Sequence, residues 1–432
     1  MPKLLCKELN RLQDWGGLKP SGRVTHVIGL LIESLGPDVS VGEICLVYGK
    51  QERATLCQVV GFKDHKVLLM PFDDVISIPP GAEVYPTESQ PMIPVSEALC
   101  GRVLDALGRP LDGQGEIFAE KNVALFAHPP AALSRPAIRQ VLTTGIRSID
   151  GLCTLGRGQR IGIFSAPGVG KSTLMGMIAK QAEADINVIA LVGERGREVR
   201  EFIDSELGRE GLARSVVIVA TSDQTALLRK AAAHTATAIA EYFRDRGKHV
   251  LLMMDSVTRF AMALREIGLA VGEPPTVRGY TPSVFAALPA LLERAGTSEK
   301  GSITGIYTVL SEEQDWHDPI PDHVRSLLDG HWQLSASLRE AGHFPPVDIL
   351  KSLSRLMPVL TSKTHQQQAN YLRRLLHAHR EAKELISIGA YVDGSDALID
   401  EALAKMSKIE KFLQQEQSEK TSFEAVHEKL SF

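Results

Sequence analysis

The stretch RIGIFSAPGVGKSTLMGMI, residues 160–178, decides the fold of this chain. It begins with apolar side chains that predict a buried β-strand: Ile161, Ile163 and Phe164. It ends with apolar side chains at helical spacing: Leu174, Met175 and Ile178. The residues between them are rich in glycine and end in a lysine and two hydroxyl residues. This order of strand, glycine-rich loop and helix is typical of a phosphate-binding loop, or P-loop.

The residue types of the loop explain how it would bind a polyphosphate. Gly168 and Gly170 allow the backbone to curl so that several N–H groups point inward. Lys171 can reach the β and γ phosphates, and Ser172 can ligate Mg²⁺. Ser165 departs from the usual pattern, which has glycine or alanine at that position. The predicted ligand is a nucleoside triphosphate with Mg²⁺, bound by Ala166, Pro167, Gly168, Val169, Gly170, Lys171, Ser172 and Thr173.

Length and composition exclude several classes of protein. With 432 residues, 44% of them hydrophobic, the chain can build two or three domains. Its net charge of -4 gives no overall attraction to nucleic acid or to anionic membranes. The five cysteines include no Cys-x-x-Cys pair, which predicts reduced thiols in the cytoplasm. Because we find no secretory leader and no apolar run of about 18 residues, we expect a protein that is neither secreted nor membrane-spanning.

Residues 1–90 predict a small β-barrel. Short β-like runs, the first being VTHVIGLLI at 24–32, are separated by Gly, Pro and Asp at short intervals. Residues 1–15 predict either an amphipathic helix or a loosely held terminus. The segment 1–90 carries nine Lys and Arg against eleven Asp and Glu, and its few aromatics are not clustered. A structural role is therefore favoured over nucleic-acid binding.

Residues 91–358 predict an α/β nucleotide-binding domain. A connector with Gly-rich turns is expected up to about residue 150. Beyond it, strand candidates alternate with helical segments, at residues 162–164, 188–193, 216–221, 249–255 and 303–310. This alternation is typical of a mostly parallel sheet with helices on both faces.

Residues 359–432 predict a polar helical domain. The first helix has an apolar stripe formed by Leu372, Leu375, Leu376, Ala382, Leu385 and Ile386. A second helix is expected to start near Ser395, and a third follows a capping box from Thr421 to Glu424. Ten Lys and Arg against eleven Asp and Glu in 361–432 favour contact with proteins rather than polyanions.

Two carboxylates follow predicted strands and are candidates for the chemistry. Asp255 ends the strand HVLLMMD, where the carboxyl edge of a parallel sheet meets the P-loop, so it could hold Mg²⁺ through water. The alternative is that Asp255 caps the next helix. Glu194 ends the strand VIALVG, a suitable place for a general base. The alternative for Glu194 is a solvated helix face, because it opens the mixed charge run ERGREVRE.

Longer motifs identify a family. VGERGREVREF, LLMMDSVTRFAMALREIGLAVGEPP, RGYTPSVFAALPALLERAG and PPVDILKSLSR resemble the catalytic subunits related to the β chain of F1 ATP synthases. The resemblance runs nearly continuously from about residue 95 to residue 360 and more loosely over the two ends. Within that family the chain resembles the type III secretion ATPases, and the injectisome branch is expected ahead of the flagellar branch. The resemblance implies a RecA-like core between a barrel and a helical domain, with ATP as the nucleotide.

The resemblance also implies roles for particular residues. By position, Glu194 is the catalytic carboxylate, Arg195 and Arg259 lie near the phosphates, and Arg355 is an arginine finger. Without the family, Arg355 would be interpreted as a surface salt-bridge residue. Phe344 falls where the family commonly has a tyrosine that packs on the adenine, and it keeps the stacking face without the hydroxyl.

The resemblance implies a Mg²⁺-dependent ATPase that works at the subunit interfaces of a homohexamer. Its expected task is to release secretion chaperones from export substrates and to unfold those substrates. Stalk and regulator proteins are expected partners, and nucleic acid is not. The expected location is the cytoplasm, peripheral to the membrane-embedded export gate at the inner-membrane base of the apparatus. The alternatives are a flagellar-type export ATPase, a rotary ATPase catalytic subunit and a subunit that binds nucleotide without hydrolysis. A ring helicase or transcription terminator with an RNA-binding barrel is a further alternative, which the acidic barrel disfavours.

Overall fold

A computed structural model describes residues 21–49, 54–73, 78–87, 89–311 and 318–430. The amphipathic helix expected at residues 1–15 lies outside the described residues. Within them, the chain forms a barrel, a central α/β layer structure and a helical end, as the sequence predicts. No helix of the described part is long and apolar enough to cross a membrane.

The N-terminal barrel closes on itself in the order β1-β2-β5-β4-β3-β6. Its strands are β1 Gly22–Ile28, β2 Leu31–Leu35, β3 Ile44–Tyr48, β4 Ala54–Lys63, β5 Lys66–Pro71 and β6 Glu83–Pro86. The run VTHVIGLLI, predicted as one strand, is instead a hairpin, because Gly29 adopts a φ of 56° and reverses the chain. Cys45 and Cys57 face each other across β3 and β4 inside the barrel, both as buried free thiols.

The central sheet runs in the order β19-β18-β12-β17-β15-β13-β14-β8, with β16 paired to β17. All its pairs are parallel except β18 with β19 and β16 with β17. The strands after the barrel are β7 Met92–Val95, β8 Val103–Asp105, β9 Lys121–Ala124, β10 Val141–Leu142, β11 Leu155–Gly156, β12 Arg160–Ser165, β13 Ile186–Glu194, β14 Ser215–Thr221, β15 His249–Asp255, β16 Gly296–Thr297, β17 Ser302–Leu310, β18 Gly330–Leu334 and β19 Val347–Ser354. Each of the five predicted strands is present. The predicted connector is more regular than expected, because β8 joins the sheet edge and β7 pairs with β9.

Helices cover both faces of this sheet, so both faces are buried. Alternate residues of β13 lie in opposite cores, Val188 and Ala190 in one and Ile189 and Leu191 in the other. The helices are α1 Arg147–Leu152, α2 Lys171–Gln181, α3 Gly196–Glu201, α4 Gly208–Ala213, α5 Ala226–Arg244, α6 Val257–Ala270, α7 Pro282–Leu292, α8 Pro319–Leu327, α9 Ala336–Glu340, α10 Met357–Leu360, α11 Lys363–Ser387, α12 Ala397–Leu413 and α13 Phe423–Lys429. A π-helical turn, Phe202–Leu207, joins α3 to α4.

The helical end packs on the nucleotide-binding domain through α11, α12 and α13. Leu372 and Leu375 of the predicted stripe are fully buried in the core that also contains α2. Asp396 caps α12, close to the predicted start. Ser422 caps α13, one residue after the predicted Thr421, because the Ser422 hydroxyl is the group that accepts the Ala425 N–H.

Candidate functional site

The P-loop follows β12 and leads into α2, as the sequence predicts. Gly168 and Gly170 have φ values of 77° and 105°, in the left-handed region that favours glycine. Gly170 is the residue before α2, and Lys171 and Ser172 form its first turn. No side chain caps this end of α2, so its first N–H groups remain available to a ligand.

Parallel strands bring the two candidate carboxylates to the P-loop lysine. The Lys171 Nζ contacts Oδ1 of Asp255 and lies 3.8 Å from Oε1 of Glu194. Thr308 on β17 donates a second hydrogen bond to Asp255 Oδ1, at 2.8 Å. Asp255 does not cap α6, because the side chain of Ser256 accepts the N–H of Arg259. The alternative role considered for Asp255 is therefore wrong.

The surroundings of Lys171 and Glu194 shift the pKa values of both groups. Burial raises the pKa of Glu194 to about 7, Asp255 adds to the increase, and Lys171 opposes it. Burial by itself would lower the pKa of Lys171, but Asp255 and Glu194 outweigh burial, and the net pKa is raised. Lys171 therefore remains a cation, while Glu194 exchanges a proton near neutral pH.

A cavity of about 500 Å³ opens above the P-loop. Glu194, Ser172 and Thr173 line it, together with two of the predicted arginines, Arg195 and Arg259. The Arg195 side chain is 73% exposed and 3.4 Å from Glu198. The Nε of Arg259 is buried without a hydrogen-bond partner, as expected of a donor that awaits an anion. The arrangement can hold the phosphates of a nucleotide between the loop and these cations.

Residues that the sequence analysis did not select also line this cavity: Arg197, Glu198, Glu201, Phe202, Glu206, Leu310 and Arg339. Oε1 of Glu206 accepts the hydroxyl proton of Thr173 at 2.8 Å. The π-helical turn brings Glu206 there, and its backbone packs so closely on Gly176 that a Cβ at Gly176 would lie 2.8 Å from the Glu206 carbonyl. No motif in the sequence signals either Glu206 or Arg339.

Phe344 lies beside a second cavity of about 830 Å³, next to the first turn of α2. Gly170, Thr173 and Leu174 line it on the loop side, and residues 411–419 line much of the other side. Phe344 is 46% exposed, so part of its ring is accessible for stacking on a base. Its position agrees with the role that the resemblance implies.

Arg355 stands apart from the other predicted residues. It follows β19, its backbone N–H donates to the Asp329 carbonyl at 3.0 Å, and its side chain is exposed. It lines neither of the two cavities beside the P-loop. The structure therefore brings Lys171, Glu194 and Asp255 together and leaves Arg355 outside the same subunit's site.

The residues present fit Mg²⁺. Ser172 is exposed to the cavity, and Asp255 contacts Lys171 beside it. The Ser172 hydroxyl and the Asp255 carboxylate offer the oxygen ligands that this ion prefers. In the described ranges, no group of three His, Cys, Asp or Glu could hold a metal by itself. Such a site suits an ion that arrives with the phosphates of its substrate, because Mg²⁺ commonly uses one or two protein ligands there.

The parallel sheet, the P-loop and the paired carboxylates define a P-loop nucleotide-hydrolysing enzyme. Sequence profiles narrow the class. The profile of the ATP synthase alpha/beta family nucleotide-binding domain matches residues 145–354, and that of the family's beta-barrel domain matches 24–88. The T3SS EscN ATPase C-terminal domain matches 361–431. The chain belongs to the ATP synthase alpha/beta family and, within it, to the ATPases of type III secretion and flagellar export.

Two curated relatives illustrate the similarity. The flagellum-specific ATP synthase of Bacillus subtilis is 55% identical over 92% of this chain and 91% of its own length. The type 3 secretion system ATPase of Xanthomonas euvesicatoria is 51% identical over 95% of this chain and 93% of its own length. The similarity therefore spans nearly the whole of both proteins.

Solved structures show the same fold. The assembled ATPase EscN from the type III secretion system of enteropathogenic E. coli has a TM-score of 0.90 and 44% identity, over 95% of this chain and 98% of that chain. EscN in complex with its central stalk EscO has a TM-score of 0.88, with the same identity and coverage. The predicted fold class, an α/β core between a β-barrel and a helical domain, is confirmed.

Proposed function

We propose that this ATPase hydrolyses MgATP at the interfaces of a homohexamer and that each site is completed by the neighbouring subunit. The observation that carries the proposal is the separation of Arg355 from Lys171 and Glu194 within one chain. An arginine finger can be supplied in trans to a nucleotide bound by another chain, and an exposed arginine away from its own site fits that role. The assembled state of EscN supports the ring.

Each residue of the site has a proposed task. The P-loop N–H groups and Lys171 hold the phosphates, and Ser172 and Asp255 hold Mg²⁺, which neutralises developing charge when bound. Glu194 accepts a proton from, or polarises, the attacking water. Arg259, and more peripherally Arg195, contact the phosphates.

Glu194 also favours hydrolysis over the alternative function, in which the subunit binds nucleotide without hydrolysing it. A partly buried carboxylate whose pKa is raised to about 7 is suited to act as a base at neutral pH. A rotary ATPase catalytic subunit needs a distinct partner to supply its finger, whereas this chain carries both Glu194 and Arg355. The same chain can therefore complete a site with copies of itself.

The proposed biological role is to energise protein export by releasing chaperones from export substrates and unfolding those substrates. The names of the relatives support it, because they are ATPases of secretion and flagellar systems. The complex of EscN with EscO supports a central stalk as a partner. Secretion chaperones, export substrates and regulator proteins remain proposed partners, and the proposed location is cytoplasmic, peripheral to the export gate at the inner membrane.

Two finer assignments stay predictions. The injectisome branch was expected, but similar identities of 55% and 51% to a flagellar and a secretion relative favour neither branch. The domain boundaries 1–90, 91–358 and 359–432 also stay predictions, with oligomerisation assigned to the barrel and chaperone and cargo docking to the helical end.

A mixing experiment tests the proposed interface. Arg355→Ala and Glu194→Gln are each expected to be inactive, since arginine fingers contribute about 10³ to 10⁵ in rate. Mixed rings contain some interfaces with an intact Glu194 from one chain and an intact Arg355 from the next, so the mixture should regain ATPase activity. With subunit exchange verified by a fluorescence assay, a mixture as inactive as its components would rule out a role for Arg355 across the interface.

A further inference from the structure

Arg339 lies against the P-loop although no motif points to it. A side-chain carbon placed on Gly168 would lie 3.5 Å from Nη1 of Arg339, so the guanidinium group covers the open side of that glycine. Arg339 also lines the cavity that Lys171, Ser172 and Glu194 line. The side chain is therefore within reach of any phosphate that the loop holds.

The backbone around Arg339 fixes this position. Arg339 lies in α9, whose first turn is capped by the hydroxyl of Ser335. The Gly342 N–H donates to the Arg339 carbonyl at 2.9 Å, and this bond closes the turn that leads to Phe344. Further on, Pro346 Cγ would lie 3.6 Å from a Cβ on Gly170. The segment 339–346 thus runs alongside the loop from Gly168 to Gly170, with a cation at one end and an aromatic ring at the other.

The charge of Arg339 is not neutralised by any residue of the described part of the chain. Among the residues that the structure describes, none forms an ion pair or a side-chain hydrogen bond with the Arg339 guanidinium, which is exposed. Lys171, in contrast, contacts Asp255, and Arg195 pairs with Glu198. A guanidinium presents several N–H donors in a planar fork that matches phosphate oxygens. Carboxylates also line this cavity (Glu194, Glu198, Glu201 and Glu206), but none of them forms an ion pair with Arg339, so a bound phosphate would supply the partner that the guanidinium lacks.

We propose that Arg339 is a further nucleotide-binding residue, which ion-pairs the phosphates of the nucleotide held by the P-loop of its own subunit. The inference rests on the proposed function, because it requires MgATP in that loop. Arg339 and Phe344 then act from one segment on the two ends of the nucleotide. Unlike Arg355, Arg339 contributes within a single chain.

Equilibrium binding with the full-length protein tests the proposal, using Mg-AMP-PNP, a non-hydrolysable ATP analogue, and MgADP as probes. Arg339→Gln should raise the Kd for Mg-AMP-PNP about 10- to 150-fold, the range expected for a lost charge-assisted hydrogen bond. The Kd for MgADP should rise less, because ADP carries less phosphate charge. The difference in Kd for Mg-AMP-PNP between the wild type and Arg339→Gln should become smaller at high salt, because salt screens the attraction between charges.

Two further variants separate a charge effect from a structural one. Arg339→Lys should bind within about 3-fold of wild type, because a lysine keeps the charge without the planar fork. Arg209→Gln removes an exposed arginine of α4 that lines neither cavity, and it should leave both Kd values unchanged. A loss in Arg339→Lys as large as that in Arg339→Gln would overturn the proposal.

The protein concentration at which binding is measured tests whether Arg339 acts in its own subunit. The ratio of the Kd of Arg339→Gln to the Kd of the wild type, both for Mg-AMP-PNP, should be the same for dilute subunits and for assembled rings. An effect that appears only in rings would overturn the assignment to the same chain. If wild type binds and Arg339→Gln binds equally well, this inference alone fails, whereas a wild type that binds no nucleotide would overturn the proposed function itself.

Discussion

The side chain of Gln415 holds the backbone of Arg147 in place. Its Oε1 accepts the Arg147 N–H at 2.8 Å, and its Nε2 donates to the Gly145 carbonyl at 2.7 Å. Gln415 is only 5% exposed and lies between the helical end of the chain and the segment before α1. One amide therefore satisfies a donor and an acceptor of another domain.

Gln415→Ala should lower the free energy of unfolding by about 1–3 kcal/mol, because it leaves a buried N–H and a buried carbonyl without partners. Chemical denaturation of the full-length protein measures the change. Gln414→Ala, which truncates the exposed neighbouring side chain, is the matched control and should change the stability much less. Equal stability of the two variants would contradict the structural role of Gln415.

Glu194→Gln and Lys171→Ala should fail at different steps. Glu194→Gln should bind MgATP with near wild-type affinity and lose about 10²- to 10⁴-fold in kcat, because a base acts only in the transition state. Lys171→Ala should bind nucleotide weakly and show no turnover. Glu210→Gln, on the exposed side of α4, is the control for loss of a carboxylate. Turnover by Glu194→Gln near the wild-type rate would contradict the role of this residue.

The pKa of Glu194 predicts the pH dependence of the reaction. Since burial raises this pKa to about 7 and a base must be deprotonated, kcat/KM should rise as the pH increases through about 7. Below that pH the protonated carboxyl group is inactive. Steady-state rates from pH 5.5 to 8.5 measure the profile, and the residual rate of Glu194→Gln should lack this rise. A wild-type profile that is flat across neutrality would mean that another group limits the reaction.

Arg294 and Glu241 form a buried ion pair remote from the candidate site. Arg294 is 1% exposed, donates to both carboxylate oxygens at 3.0 and 2.6 Å, and also donates to the Leu125 carbonyl at 2.9 Å. Arg294→Leu should destabilise the protein by about 3–5 kcal/mol, because it leaves a buried carboxylate without its partner.

The double variant Arg294→Leu with Glu241→Leu checks this explanation. It should lose less stability than Arg294→Leu alone, since no uncompensated charge remains. Thermal denaturation of the single and double variants measures the difference. If the loss of stability in the double variant equals the sum of the losses in Arg294→Leu and in Glu241→Leu, the two residues act independently.

The sequence was sufficient to predict the parts of the site that depend on local pattern. The P-loop follows from glycine spacing, and Glu194 and Asp255 meet Lys171 because the carboxyl ends of parallel strands share one edge of the sheet. The resemblance selected Phe344, which lies beside the cavity of about 830 Å³. The roles of these residues stay predictions, but their positions in the fold agree with them.

Contacts made by side chains outside these motifs could not be predicted. Glu206 reaches Thr173 only because a π-helical turn redirects the chain, and no periodicity signals such a turn. Arg339 looks like an ordinary charged residue until α9 folds against Gly168. Gln415 is polar and near the C-terminus, which favours exposure on composition alone, yet it is buried by its contacts with another domain.

Gln415 also forms a hydrogen bond with Phe344: the backbone N–H of Gln415 donates to the Phe344 carbonyl at 2.8 Å. A movement of the helical domain that breaks this bond therefore acts on the residue proposed to stack on the base. Thermodynamic linkage makes such coupling reciprocal. If a protein docked on the helical domain weakens ATP binding by some factor, then ATP must weaken the docking of that protein by the same factor.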